Sequence, residues 1–345
     1  MSPKQRRIRI ALTTMLLAAV LSACGAKDSG LPEPSASASS PPFASETAPP
    51  SETAPSPSGS EGADDLIVEE FRKKGLAGAP ADEMFAELKE FLAVAQPAQA
   101  DELIRALDEY YEKELPETQK AYEEEAVQRK LSELERPVDE AGLAKLEDGE
   151  VRELAERTLA GGYKLETAEG FIFPIVDYGK LAELGDNLSI AMQTYLDLMA
   201  MESDAPSAKD AALVISRDEL AARTLAAESY VVTFPDTPER KKAEEAYFRY
   251  LSFYFIGLNN TPVFDYETFA IEPEAKAQYE QMAASHGGTI VGRKAAEWLA
   301  ILEETNGQVF TKGQNGEQTD IPSVKAFRDS LESTVRAELP AAKNQ

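Results

Sequence analysis

Apolar residues recur three and four positions apart along most of the chain beyond residue 63, and this spacing predicts amphipathic helices. One apolar stripe comprises Met84, Phe85, Leu88, Phe91 and Leu92, and the next comprises Leu103, Ile104, Leu107, Tyr110 and Tyr111. An acidic or alanine-rich run follows each of four prolines, Pro80, Pro97, Pro116 and Pro137. Because proline suits the first turn of a helix, the pattern predicts short helices joined by tight turns.

A second helical part follows the pair Gly161-Gly162, which interrupts the pattern. Ser216 and Glu219 have the spacing of a capping box, which predicts a helix from there to about Phe234. The helix after it holds six aromatic residues between positions 247 and 255. Six aromatic side chains cannot share one narrow stripe, so we expect this helix to be packed on most sides at the centre of the core.

These patterns predict an all-α fold, in which helical hairpins stack as a bundle or a short solenoid. We expect at most one small β element, with the apolar run at 171–176 extended. The glycine- and asparagine-rich segment at 313–316 is either a small hairpin or a loop. The glycine pair separates residues 64–162 from residues 163–345, as two domains or as two parts of one continuous domain.

The first 24 residues indicate where the protein is located. Four basic residues precede Ile10–Leu21, an apolar segment of 12 residues that is too short to span a bilayer comfortably. The run ends in Leu21-Ser22-Ala23-Cys24, which resembles the lipobox of bacterial lipoproteins. The resemblance implies that residues 1–23 are a signal peptide and that Cys24 carries a lipid after cleavage. It therefore predicts a protein held at the extracytoplasmic face of the cell membrane.

Residues 24–63 combine this cysteine with a segment rich in serine, proline and alanine, which predicts a disordered tether. Cys24 is the one cysteine of the chain, so the fold has no intramolecular disulfide. The formal net charge is −26, and removal of the basic signal peptide makes it more negative. We therefore expect no nucleic-acid partner, and the acidity serves solubility or attracts cations or a basic partner.

The sequence offers little catalytic or cofactor chemistry. Because His286 is the only histidine, a His-pair metal site and a His-containing catalytic triad are excluded. No glycine-rich phosphate loop, calcium loop or serine nucleophile motif is present, and nothing indicates a cofactor or a metal.

One short pattern occurs twice: Pro174-Ile175-Val176-Asp177-Tyr178 and Pro262-Val263-Phe264-Asp265-Tyr266. If the two segments converge, Asp177 and Asp265 form a carboxylate pair suited to glycosidic acid–base catalysis or to binding a hard cation, with Tyr178 and Tyr266 as ligand-binding side chains. Otherwise each aspartate caps the helix that follows and each tyrosine packs. Glu169 is a further candidate acid.

The segment Phe234–Pro238, between two helices, is similar to the turn of tetratricopeptide-like helical hairpins in envelope assembly lipoproteins. A related sequence follows 52 residues later, where Thr289 corresponds to Thr237 and His286 to Phe234. The resemblance implies stacked helical hairpins, and it makes His286 a turn residue.

Together these features predict a lipid-anchored module that binds or scaffolds another component of the cell envelope, with a protein partner of unknown identity. One alternative is a cell-wall hydrolase that uses paired carboxylates. Another is the solute-binding lipoprotein of a transporter, which would need two α/β lobes with several strands.

Substitution of Cys24 by serine tests the predicted anchor. We expect the wild-type chain in the membrane fraction and the Cys24→Ser chain in the soluble extracytoplasmic fraction, because a hydroxyl does not accept the thioether-linked lipid. Fractionation followed by intact-mass measurement distinguishes the two forms. Equal membrane association of both chains would contradict lipid attachment at Cys24.

Overall fold

A computed structural model describes residues 61–342, and most of these residues are helical. The α-helices are α1 (Glu61–Leu76), α2 (Ala81–Leu92), α3 (Pro97–Tyr122), α4 (Glu125–Ser132), α5 (Glu140–Leu143), α6 (Gly149–Ala160), α7 (Tyr178–Ala182), α8 (Ile190–Asp204), α9 (Arg217–Thr233), α10 (Arg240–Phe255), α11 (Pro273–Ser285), α12 (Ile290–Glu304) and α13 (Pro322–Glu338). A mostly α-helical fold is therefore confirmed. The predicted signal peptide, Cys24 and nearly all of the tether lie outside the described residues, although α1 begins at Glu61, inside the range predicted for the tether.

Four short antiparallel hairpins accompany the helices. Their strands are β1 (Tyr163–Ala168), β2 (Phe171–Val176), β3 (Ala208–Lys209), β4 (Ala212–Leu213), β5 (Gly257–Leu258), β6 (Thr261–Pro262), β7 (Phe310–Lys312) and β8 (Gln318–Asp320). The expectation of at most one small β element was wrong. The run at 171–176 is extended as predicted, and residues 313–316 lie in the hairpin β7–β8, but strands of two residues are too short to show an alternating sequence pattern.

The hairpins alternate with pairs of helices along the chain. Helices α7 and α8 pack together, as do α9 with α10 and α11 with α12, and a short turn joins the members of each pair. A β-hairpin precedes each pair, and the fourth hairpin precedes α13. From residue 163 onward, the described chain thus repeats the order hairpin, helix, turn, helix.

The turns within two of these pairs have the same hydrogen bonds. The backbone N–H and hydroxyl of Thr237 both donate to the carbonyl of Phe234, at 3.4 and 3.1 Å. Thr289 makes the same two bonds to the carbonyl of His286, at 2.9 and 2.7 Å. His286 immediately follows α11, so the prediction that it is a turn residue is confirmed.

The main hydrophobic core contains side chains from both sides of residue 162. Phe85 and Leu103 belong to it together with Tyr195, Tyr250 and Trp298. Helix α10 presents buried aromatic residues on several sides, as predicted, and Trp298 stacks on Phe327 with ring centres 4.8 Å apart. A smaller core lies under α4, α5, α6 and the first hairpin.

Pro116 does not begin a helix, contrary to the sequence prediction. It lies inside α3, which continues for six residues beyond it. Proline lacks the N–H that would bind the carbonyl four residues earlier, at Glu112. Both residues are exposed, so water can satisfy that carbonyl and the helix continues.

A glutamine side chain occupies the position of a third strand beside β2. Gln128 of α4 accepts a hydrogen bond from the backbone N–H of Ile172 at 2.9 Å. Its amide nitrogen donates to the carbonyl of the same residue at 2.7 Å. The side chain therefore satisfies both backbone polar groups of a residue whose own side chain is fully buried.

The buried carboxylate of Glu228 connects three helices. It lies on α9, is 5% exposed, and accepts a hydrogen bond from the Tyr247 hydroxyl of α10 at 2.8 Å. It also accepts the backbone N–H groups of Ile290 and Val291, at 2.7 and 2.8 Å, at the start of α12. The first N–H groups of a helix have no partner within the helix, so Glu228 acts as a cap supplied by another helix.

We expect Glu228→Gln to lower the free energy of unfolding by about 2–4 kcal/mol, because an amide group places its own hydrogens against N–H and O–H donors. Urea unfolding followed by circular dichroism measures the change. The matched control is Glu304→Gln on the exposed end of α12, for which we expect a change within about 0.5 kcal/mol. Similar losses in the two variants would contradict the capping role of Glu228.

Candidate functional site

Asp177 lies at the start of α7 and is held by local contacts. It accepts a hydrogen bond from the backbone N–H of Lys180 at 3.1 Å, which makes it the cap of α7. Its carboxylate also forms an ion pair with Lys164 of β1 at 3.2 Å. The same lysine binds Asp204 at the end of α8. These contacts fix the end of the first hairpin against the first helix pair.

Asp265 closes a turn after the third hairpin. Its carboxylate accepts the Thr268 hydroxyl and backbone N–H, both at 2.7 Å, and the Glu267 N–H at 3.1 Å. The Thr268 hydroxyl above all holds the pKa of Asp265 below its ordinary value. Asp265 is therefore a stable anion at neutral pH, whereas a catalytic acid needs a raised pKa. The neighbouring Tyr266 is exposed and donates to the Asn259 carbonyl at 3.0 Å.

The structure gives the two aspartates separate partners. No hydrogen bond, ion pair or ring contact joins residues 174–178 to residues 262–266 within the described part of the chain. Asp177 caps the helix that follows it, as the structural interpretation of the repeated pattern predicted. For the second copy that interpretation was wrong, because Asp265 closes a local turn, the next helix begins only at Pro273, and Tyr266 is exposed. Glu169 lies at the exposed tip of the first hairpin, at a φ of 50°, beside Gly170.

Tyr178 belongs to a polar cluster that the sequence did not reveal. Its hydroxyl donates to Asp108 of α3 at 2.8 Å, and the Tyr195 hydroxyl donates to the same carboxylate at 3.2 Å. Lys242 of α10 completes the cluster at 2.6 Å. Burial above all raises the pKa of both tyrosines, and the charge of Asp108 adds to this effect, so they remain neutral donors. Asp108 thus connects α3 with α7, α8 and α10.

A polar cavity of about 450 Å³ lies beside this cluster, between α3 and the start of α10. Arg105 crosses it to Glu239, with an N–O distance of 2.5 Å, and also binds Glu102 at 2.7 Å. Lys242 reaches Glu112 on the same side at 2.6 Å. These charged groups are therefore paired with one another. The ion pairs of Arg105 with Glu239 and of Lys242 with Glu112 join α3 to the start of α10.

The four hairpins contact one another in sequence order, and we call residues 163–176, 208–213, 257–262 and 310–320 the hairpin row. Glu166 of the first hairpin pairs with Lys209 of the second at 2.7 Å. The Asn260 N–H of the third donates to the Ala211 carbonyl of the second at 2.9 Å. Phe264, just after the third hairpin, contacts Phe310 of the fourth, with ring centres 5.2 Å apart.

Exposed apolar side chains accompany the hairpin row. Among the described residues, nine large apolar side chains are exposed, and four lie on the row or within four residues of it: Phe171, Val214, Ile256 and Tyr266. Val214 and Tyr266 expose 52% and 53% of their surface. Edge strands and exposed aromatic or aliphatic groups are features of surfaces that bind other proteins.

No protein-family model, curated protein or solved structure matches this chain. Within residues 61–342, no group of three or more histidine, cysteine, aspartate or glutamate side chains is arranged to hold a metal ion. None of the helices in this range is both long enough and apolar enough to cross a membrane.

We expect Thr268→Val to raise the pKa of Asp265 toward its ordinary value of 3.8, because one of three donors to the carboxylate is lost. A carbon-detected NMR titration of the Asp265 carboxyl measures this, with Thr311→Val as the control. The lowered pKa of Asp265 stabilises the folded state at any pH above the carboxyl's ordinary pKa. This stability is lost as the pH falls through the lower pKa of the folded state. An unchanged pKa in Thr268→Val would contradict this assignment.

Proposed function

We propose that this chain is an extracytoplasmic binding module, anchored through a lipid on Cys24, and that the hairpin row is its docking surface for a protein of the cell envelope. The observation that supports the proposal is the row itself. The first three hairpins contact one another in sequence order, Phe264 joins the third to the fourth, and exposed Phe171, Val214, Ile256 and Tyr266 lie on the row or within four residues of it.

The helix pairs supply a rigid support for this surface. Each hairpin is followed by a helix whose side chains enter the main core, and α6, which precedes the first hairpin, packs in the smaller core. We infer that the pairs stack as helical hairpins in a short solenoid, in which the hairpin row follows one edge. A preorganised surface loses little conformational entropy on binding, which favours recognition of a partner.

The hydrolase alternative receives less support. It relied on a shared site for Asp177 and Asp265, and the two carboxylates have separate structural partners. The solute-receptor alternative relied on two lobes with several strands each, whereas the described residues contain only two-stranded sheets.

Crosslinking in whole envelopes, followed by purification of the full-length chain, tests the proposal. We expect one protein to be captured by the wild type and to fall to about a tenth or less in the double variant Phe171→Thr, Val214→Thr. Exposed apolar anchors contribute most of the energy at such surfaces. Threonine retains β-strand propensity, so the hairpins should remain folded, which circular dichroism verifies.

The matched control is Val94→Thr, Val232→Thr, which changes two exposed apolar residues away from the row. It should capture the partner as the wild type does. Equal capture by both double variants would exclude the hairpin row as the docking surface. Recovery of wall glycan or a small solute, without any protein, would favour the hydrolase or the receptor instead.

A further inference from the structure

Asparagine followed by glycine occurs twice in the sequence, as Asn306-Gly307 and as Asn315-Gly316. In such a pair the backbone nitrogen of the glycine can attack the side-chain carbonyl carbon of the asparagine, because the glycine has no Cβ to hinder the approach. The new N–C bond closes a five-membered succinimide ring, and the side-chain nitrogen leaves as ammonia with the proton of the backbone N–H. Water then opens the ring at either carbonyl, which leaves aspartate or isoaspartate in place of asparagine.

The pair Asn315-Gly316 lies at the exposed tip of the hairpin β7–β8. The Asn315 N–H donates to the Glu317 carboxylate at 2.9 Å, and the Gly316 N–H donates to the Gly313 carbonyl at 3.0 Å. Both acceptors belong to the same tip. Gly316 has a φ of 83°, and a Cβ placed on it would meet no described atom within 4 Å apart from its chain neighbours. The tip can therefore rearrange for the attack without disturbing the core.

The pair Asn306-Gly307 is held by the core, although Asn306 is exposed as well. The Gly307 N–H donates to the Leu302 carbonyl at 2.6 Å, and the Gly307 carbonyl accepts the Ile271 N–H at 2.8 Å. Leu302 and Ile271 are both buried in the main core. The Gly307 nitrogen must give up its bond to Leu302 and move its peptide group away from Ile271 before it can attack. This local opening costs free energy that the hairpin tip does not have to supply.

We propose that Asn315 is a site of spontaneous deamidation in the folded protein, and that the fold protects Asn306 from the same reaction. The modification places a new carboxylate at the tip of the fourth hairpin, two residues from Glu317. It therefore adds negative charge to the hairpin row without an enzyme. The inference goes beyond the proposed function, because the reaction does not require the row to bind a partner.

Incubation of the purified full-length chain at mildly alkaline pH in water enriched in heavy oxygen, followed by peptide mass spectrometry, tests this site. The product takes one oxygen atom from the solvent, so its mass identifies molecules that react during the incubation. We expect aspartate and isoaspartate to form at position 315 at least about tenfold faster than at position 306, because the reaction of Asn306 requires local opening. An isoaspartyl methyltransferase assay on the separated peptides identifies the isoaspartate.

The same incubation in concentrated urea is the control for the effect of the fold. There the rates at the two sites should converge, because both have the same Asn-Gly sequence and neither is held by backbone contacts. In the folded chain, Asn315→Gln should abolish the product at position 315, since glutamine would have to close a larger ring. Equal rates at the two sites in the folded chain, or reaction at Asn315 only in urea, would overturn the proposal.

Discussion

The two parts of the fold are joined through the polar face of α3. Its apolar residues, such as Leu103 and Leu107, enter the main core, while its charged residues reach the starts of later helices. Asp101 accepts the backbone N–H of Ser189, just before α8, at 2.9 Å. Arg105 and Asp108 bind residues of the segment that starts α10. Each charge lies far from its partner in sequence and loses hydration on folding, so the pairs and the core must form together.

The hairpins and the turns within the helix pairs have different roles in the structure. Turns such as the one closed by Thr237 reverse the chain. In that turn the hydroxyl and the backbone N–H of Thr237 donate to the carbonyl of Phe234. The hairpins place some side chains in the cores and also carry exposed apolar groups such as Phe171. The exposed positions of the hairpins can therefore vary while the helix pairs keep their packing, because loops tolerate change better than buried faces do.

The helices could be predicted because their buried faces repeat with a helical period, and Ser216 caps α9 as its spacing indicated. The hairpin β3–β4 could not, since Asp210 and Ala211 both adopt positive φ and alanine carries no turn signal. The cluster at Asp108 was also hidden, because Lys242 lies 134 residues away and only the tertiary fold brings them together. The repeated Pro-x-apolar-Asp-Tyr pattern gave correct local roles for Asp177 and Tyr178, but local similarity carries no information about which segments meet.

The side chain of Gln128 has a consequence for encounters between copies of this chain. A free β-strand edge is a template on which a second chain can add its own strand, and this is a common route to aggregation and domain swapping. By bonding both backbone groups of Ile172, Gln128 blocks that template near the start of β2. Lipid anchoring would concentrate many copies on one membrane surface, where such encounters are frequent. A single amide therefore protects the longest hairpin against self-association at high local density.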